Sequence, residues 1–173
     1  MKVKKTTTVY LVQAAMIAAI YAALTLFLEP ISFSGNQFRV SEALTLLPVL
    51  TPAAIPGLTI GCLIANISSP YFVVDMICGS LATLGAAVCT RKARNIRFKN
   101  LPVLSAVFPV IFNGVIVGAE ISALTTGGFT WQLFLMSGAS VALGETVVCF
   151  LLGLPLCAGL EKLHVFENGR VLK

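Results

Sequence analysis

The chain has 173 residues, 57% of them hydrophobic and only 11% charged, with 12 Lys and Arg against 7 Asp and Glu for a net charge of +5. A soluble domain carries roughly a quarter charged residues, so this composition excludes a water-soluble enzyme, a disordered tail and a nucleic-acid-binding module. What fits is an all-α polytopic membrane protein, one membrane domain over residues 1–173.

A membrane-spanning helix takes about 20 residues, and the chain divides into six apolar segments. The first is predicted over residues 9–28, after Lys2, Lys4 and Lys5. It is longer than a signal-peptide core and ends at Glu29-Pro30 without a small-x-small cleavage pattern, so it reads as a retained helix. It carries Ala14, Ala18 and Ala22 and, one residue on, Ala15, Ala19 and Ala23. Two such small-xxx-small tracks make a flat strip for another helix, inside the bundle or on a partner. A loop with Pro30, Gly35 and Asn36 follows. The second helix, residues 40–52, has Pro48 and Pro52, with Pro56 next at the same spacing, which predicts a short, kinked element. The third, residues 56–67, is too short for a full span, so the two form a compressed hairpin. The fourth covers residues 74–90. A basic connection with Arg91, Lys92, Arg94, Arg97 and Lys99 leads to the fifth, residues 101–124. After Gly127-Gly128 the sixth runs over residues 131–163, longer than a bilayer needs.

Six spans with a cytoplasmic N-terminus put Lys2, Lys4, Lys5, Arg91, Lys92, Arg94, Arg97, Lys99, Lys162, Arg170 and Lys173 inside, and Arg39 alone outside. This satisfies the positive-inside rule and also makes the C-terminus cytoplasmic. Glu161 and Glu167 lie inside, whereas Glu29, Glu42, Asp75, Glu120 and Glu145 lie on the outer side or within the membrane. Ionisable groups at membrane depth are costly and mark pathways or sites.

Trp131, Gly138 and Glu145 recur every seven residues on one face of the sixth helix, with Ala142 on the same stripe. Asn113 and Glu120 share a face of the fifth. If the two helices are neighbours, these faces enclose a slot with two carboxylates, an amide and an aromatic at its mouth. Such a slot suits a flat, polar, partly cationic ligand, because a carboxylate accepts two N–H bonds from an amidine-like edge. Trp131 also fits an aromatic belt, Glu120 the headgroup level and Asn113 interhelical bonding. Glu42 and Asp75 each fit a first-turn acid or a ligand contact, and Ser41 or Asn36 a cap. Asn66, near the outer end of the third helix, and Arg39 complete the candidate substrate-binding set.

No metal site is spelled: Cys62, Cys78, Cys89, Cys149 and Cys157 form no C-x-x-C pair and His164 is the sole histidine. Ser140 and His164 lie about 36 Å apart along one helix, too far for a catalytic pair. There is no P-loop, G-x-S-x-G or H-E-x-x-H. Energy for transport must come from an ion gradient or a partner.

Several segments together resemble a known family: Phe38-Arg39-Val40-Ser41-Glu42-Ala43-Leu44, Leu47-Pro48, Thr51-Pro52-Ala53-Ala54-Ile55-Pro56-Gly57 and Gly61-Cys62-Leu63-Ile64-Ala65-Asn66. With the alanine tracks and the pairs Ala119-Glu120 and Gly144-Glu145, they are similar to the S-components of energy-coupling factor (ECF) transporters, and among these to the QueT type, proposed to take up queuosine precursors. The resemblance implies an S-component six-helix bundle in a bacterial cytoplasmic membrane. It implies a 7-deazaguanine ligand, such as prequeuosine 1 or queuine, held in the outward half under the loop between helices 1 and 2. It further implies a transmembrane coupling subunit and two ATPases as partners, docked on Ala14, Ala18 and Ala22, with no cofactor and no enzymatic activity in this chain. Two other readings stand beside it: an S-component for another vitamin or flat nucleobase-like ligand, and a stand-alone carrier driven by protons on Glu120 or Glu145.

Overall fold

The computed structural model describes residues 2–28, 39–69, 71–125 and 128–166. Pro30, Gly35 and Asn36 of the first loop lie outside the described residues, as do Glu29, Gly127, Glu167, Arg170 and Lys173. The described residues form six main helices: α1 (Lys2–Phe27), α2 (Val40–Val49), α3 (Ala54–Ala65), α4 (Phe72–Lys92), α5 (Val103–Leu124) and α6 (Trp131–Lys162), with a short 3₁₀ turn at Asn66–Ser68 after α3. Among the described residues there is no strand, only an isolated bridge between Phe98 and Leu101. Among the described residues four stretches are long and apolar enough to cross a membrane: Thr7–Phe27, Phe72–Lys92, Val103–Leu124 and Trp131–Lys162. The other two helices are short and apolar, as their prolines and length foreshadow.

Glycines set the spacing of the long helices. α1 lies on α3, where a Cβ on Gly57 would fall 2.7 Å from the Ala14 carbonyl oxygen and one on Gly61 2.9 Å from that of Ala18. α5 lies on α6, where a Cβ on Gly118 would fall 2.6 Å from the Gly138 Cα. Both G-x-x-x-G pairs, Gly57–Gly61 and Gly114–Gly118, therefore serve packing within the bundle. α3 and α5 also flank α4, giving a neighbour order of α1, α3, α4, α5, α6.

α2 occupies the middle. It is wound as a tight 3₁₀ helix, touches all five other helices, and buries every residue from Ser41 to Val49. Pro48 has no N–H to donate, and the end of the helix instead closes with Leu50 N–H donating to the Leu47 carbonyl at 2.9 Å. Arg91 Nη1 reaches from α4 to the carbonyls of Pro48 and Val49, at 3.0 and 3.1 Å, placing a cation at the C-terminal end of α2.

α6 contains a π turn at Val148–Gly153, continuing into the segment Leu154–Lys162. Pro155 in the first turn of that segment supplies no N–H to the preceding ladder, which is the physical reason for the irregularity. The turn also carries Gly153, where a Cβ would meet Leu46 Cδ1 at 2.8 Å and the Ala43 carbonyl at 3.2 Å. The defect in α6 is thus the place where α2 approaches most closely.

One end of the bundle gathers the basic groups. Thr51 donates to Gln13 Oε1 at 3.1 Å, tying the α2–α3 turn to the first half of α1. Arg97, between α4 and α5, forms a two-pronged pair with Glu161 of α6 at 2.7 and 2.8 Å.

Candidate functional site

Toward the other end, the interior is polar. Of the eight candidate substrate-binding residues, seven are buried: Glu42, Asn66, Asp75, Asn113, Glu120, Glu145 and Arg39, the last at 7% exposure. They come from four helices, the residue before α2 and the residue after α3. Asn113 and Glu120 lie seven apart on α5, and Glu145 and Cys149 four apart on α6, so each pair shares a face.

Two clusters form. In the first, Tyr21 Oη donates to Glu42 Oε1. Asn113 Nδ2 donates to Glu145 Oε1 at 2.9 Å, and Cys149 Sγ lies 3.7 Å from Glu145 Oε2. Thr45 donates to the Glu42 carbonyl at 2.5 Å, and Thr25 and Ser41 hydroxyls lie 2.7 Å apart beside it. In the second, Asn66 Nδ2 donates to the Asp75 carbonyl at 2.9 Å, and Ser69 donates to the Asp75 carboxylate. The Glu120 carboxylate lies in electrostatic range of Asp75. Arg39 links the two clusters, interacting electrostatically with Glu42, Asp75, Glu120 and Glu145.

The arrangement differs in two ways from the slot expected between α5 and α6. The helices are neighbours, and Asn113 does reach Glu145, but Gly114, Gly118, Gly138 and Ala142 are filled by backbone contact instead of leaving room for a ring. Glu120 accordingly faces Asp75 of α4 and not Glu145. Trp131 stands apart: it is 72% exposed and packs edge-on against Phe129 and Phe134, at centroid distances of 5.5 and 5.9 Å. Glu42 and Asp75 lie in first turns of their helices, yet neither helix has a side-chain cap. Ser41 meets Thr25 instead, and Asn36 lies outside the described residues.

Sequence reasoning passed over Tyr21, Thr25, Thr45, Ser80, Thr83 and Cys149. A signal existed for two of them. Tyr21 and Thr25 are one turn apart on α1, on the same side as Ala14 and Ala18, the side that α3 and α2 bury.

Several buried atoms accept or donate no hydrogen bond among the described residues: Glu42 Oε2, both Glu120 carboxylate oxygens, Asn66 Oδ1, Ser80 Oγ and Thr83 Oγ1. Four of the six are carboxyl or amide oxygens, and the two of Glu120 lie against the carboxyl of Asp75. Buried polar atoms are nearly always paired, so this set stands out from an ordinary helical interior. No group of three or more His, Cys, Asp or Glu among the described residues is arranged to hold a metal.

The alanine tracks separate cleanly. Ala14, Ala18 and Ala22 are buried, the first two under the glycines of α3, whereas Ala15, Ala19 and Ala23 are exposed. The face expected to take an external partner is therefore the one covered within the chain.

An all-helical bundle with four membrane-competent helices and a buried, charged interior has the architecture of a multi-pass membrane protein. The chain belongs to the family described as QueT transporter, which it matches over residues 11–162. It is also 42% identical over 83 residues to the queuosine precursor transporter QueT of Lactococcus lactis subsp. cremoris (strain MG1363). That match covers 47% of this chain and 48% of the relative, so it spans about half the length of each. No solved structure matches.

Proposed function

We propose that this chain is the substrate-binding S-component of an ECF-type importer and captures a queuosine precursor, a 7-deazaguanine with a cationic arm. The observation that carries the reading is one buried guanidinium, Arg39, among four buried carboxylates, with Glu42 Oε2 and Asn66 Oδ1 left unpaired. Burying a charge without a partner is expensive. A ligand rich in N–H donors and bearing an ammonium group supplies what the cluster lacks. The deazaguanine edge offers N–H groups to a carboxylate, and its aminomethyl cation suits a second one.

The S-component assignment follows the family resemblance. All six helices sit within the membrane, α2 and α3 as a compressed hairpin, with both termini cytoplasmic. ATP hydrolysis belongs to two partner ATPases. Their coupling subunit docks on the track of α1 that remains open, Ala15, Ala19 and Ala23, instead of Ala14, Ala18 and Ala22.

The test is calorimetry on the purified protein with prequeuosine 1 and with guanine, which lacks the cationic arm. Prequeuosine 1 binds more tightly, and Glu145→Gln weakens it about tenfold or more, one charge-assisted hydrogen bond being worth about 1.5–3 kcal/mol. Glutamine still accepts from Asn113, so the fold survives the change. Equal affinity for guanine removes the cationic arm from the reading, and unchanged affinity in Glu145→Gln removes that carboxylate from the site.

A further inference from the structure

At the basic end of the bundle, away from the polar interior, a cleft of about 540 Å³ opens between the α2–α3 turn, the end of α4, the α4–α5 connection and the end of α6. Its polar lining is Arg91, Arg94, Asn95, Arg97, Glu161 and His164. Three guanidinium groups thus face one carboxylate, and that carboxylate is already taken: Glu161 forms both prongs of its pair with Arg97. This contact raises the Arg97 pKa above its ordinary value and holds its charge firmly in place. Arg91 spends Nη1 on the α2 carbonyls, and Arg94 makes one long bond, 3.5 Å, to the Arg91 carbonyl. A guanidinium has five N–H donors in a planar fork that matches phosphate, so Arg91 and Arg94 retain donors for an anion.

A second observation identifies the kind of anion. The segments flanking the cleft are not helical, yet they expose large apolar side chains: Ile96 at 58%, Phe98 at 66%, Leu163 at 74% and Val165 at 51%. Ile96 and Phe98 are interleaved with Arg94, Arg97 and Lys99, and the Lys99 ammonium stands 5.8 Å from the centre of the Phe98 ring. Apolar side chains interleaved with cations at the end of apolar helices are the composition of a lipid headgroup boundary.

We propose that this cleft seats the phosphate of an anionic phospholipid, with Arg91 and Arg94 donating to the phosphate while Ile96, Phe98, Leu163 and Val165 contact the acyl chains. The site rests on the bundle lying in a membrane, but it is independent of the ligand bound in the polar interior. Its occupation joins the connections that hold α2, α4 and α6 together at this end.

Native mass spectrometry of the full chain in detergent tests it, with phosphatidylglycerol and phosphatidylcholine of identical acyl chains as probes. Phosphatidylglycerol adducts exceed phosphatidylcholine adducts severalfold. Arg94→Gln reduces the phosphatidylglycerol adducts at least threefold, whereas Lys92→Gln, which removes the same charge outside the cleft lining, leaves them unchanged. Equal retention of the two lipids, or equal loss in both variants, overturns the site. Displacement of phosphatidylglycerol by an equal concentration of inorganic phosphate overturns the lipid as its occupant. Prequeuosine 1 affinity is unaffected in Arg94→Gln, so failure here is distinguishable from failure of the proposed function.

Discussion

At the scale of single residues, what decides the chemistry is which oxygen has a donor and which has none. Glu42 shows both conditions in one carboxylate: Oε1 receives Tyr21 Oη, and Oε2 receives nothing among the described residues. Tyr21 therefore holds Glu42 in place through one oxygen, and in the proposed function the second is the one that meets the ligand. Removing the donor exposes that dependence. Tyr21→Phe keeps the ring in its fully buried position but removes the hydrogen bond to Glu42 Oε1, a cost of about 1–3 kcal/mol. For a chain of this size that lowers the Tm by about 2–4 °C per kcal/mol. A double-mutant cycle with Glu42→Gln, read by thermal unfolding in detergent, yields a coupling of at least about 0.5 kcal/mol. Additive losses would mean that Tyr21 does not position Glu42. The acids of this cluster were legible in the sequence because charge is rare in an apolar chain. The residue that positions one of them was not, since a tyrosine in an apolar helix resembles any other core aromatic.

At the scale of elements, hydropathy and prolines marked out all six helices, and their ends fall within a few residues of the predicted ones except at the start of α1. What composition could not convey is contact. Glycine in a membrane helix reads equally as space for a ligand and as space for another backbone, and between α5 and α6 it is the second. Gly118 and Gly138 let the helices touch, which closes the expected slot and in the same stroke brings Asn113 within 2.9 Å of Glu145. A side chain at Gly118 must push α6 away, because the atom it meets is backbone. Gly118→Leu accordingly costs at least the roughly 1–3 kcal/mol typical of overpacking and weakens ligand binding through the lost Asn113–Glu145 contact. Gly159→Ala is the control, since a Cβ there meets nothing within 4 Å. If both variants unfold at the temperature of the unmodified chain, the α5–α6 contact is not as close as described.

At the scale of the whole molecule, the central position of α2 explains why so much of the site was hidden from a reading by helix faces. A helix that is buried on every side has no polar face to recognise, and Ser41, Glu42 and Thr45 meet groups from α1 and α6 that are far away in the chain. The same packing sorts the two alanine tracks of α1, which the sequence presents as equivalent. α3 covers Ala14 and Ala18 with Gly57 and Gly61, and leaves Ala15, Ala19 and Ala23 on the surface beside the exposed side chains of Val12, Met16 and Ile20. Adjacent alanines therefore have different consequences when enlarged. Ala18→Trp forces α1 from α3 and displaces Tyr21, so both thermal stability and ligand binding fall. Ala19→Trp projects away from the bundle, so the fold and ligand affinity are retained while co-purification with the proposed ATPase subunits is lost. Full recovery of the ATPases with Ala19→Trp would move the coupling surface off α1. Loss of ligand binding in that variant would instead mean that the open face of α1 and the polar interior are not separable.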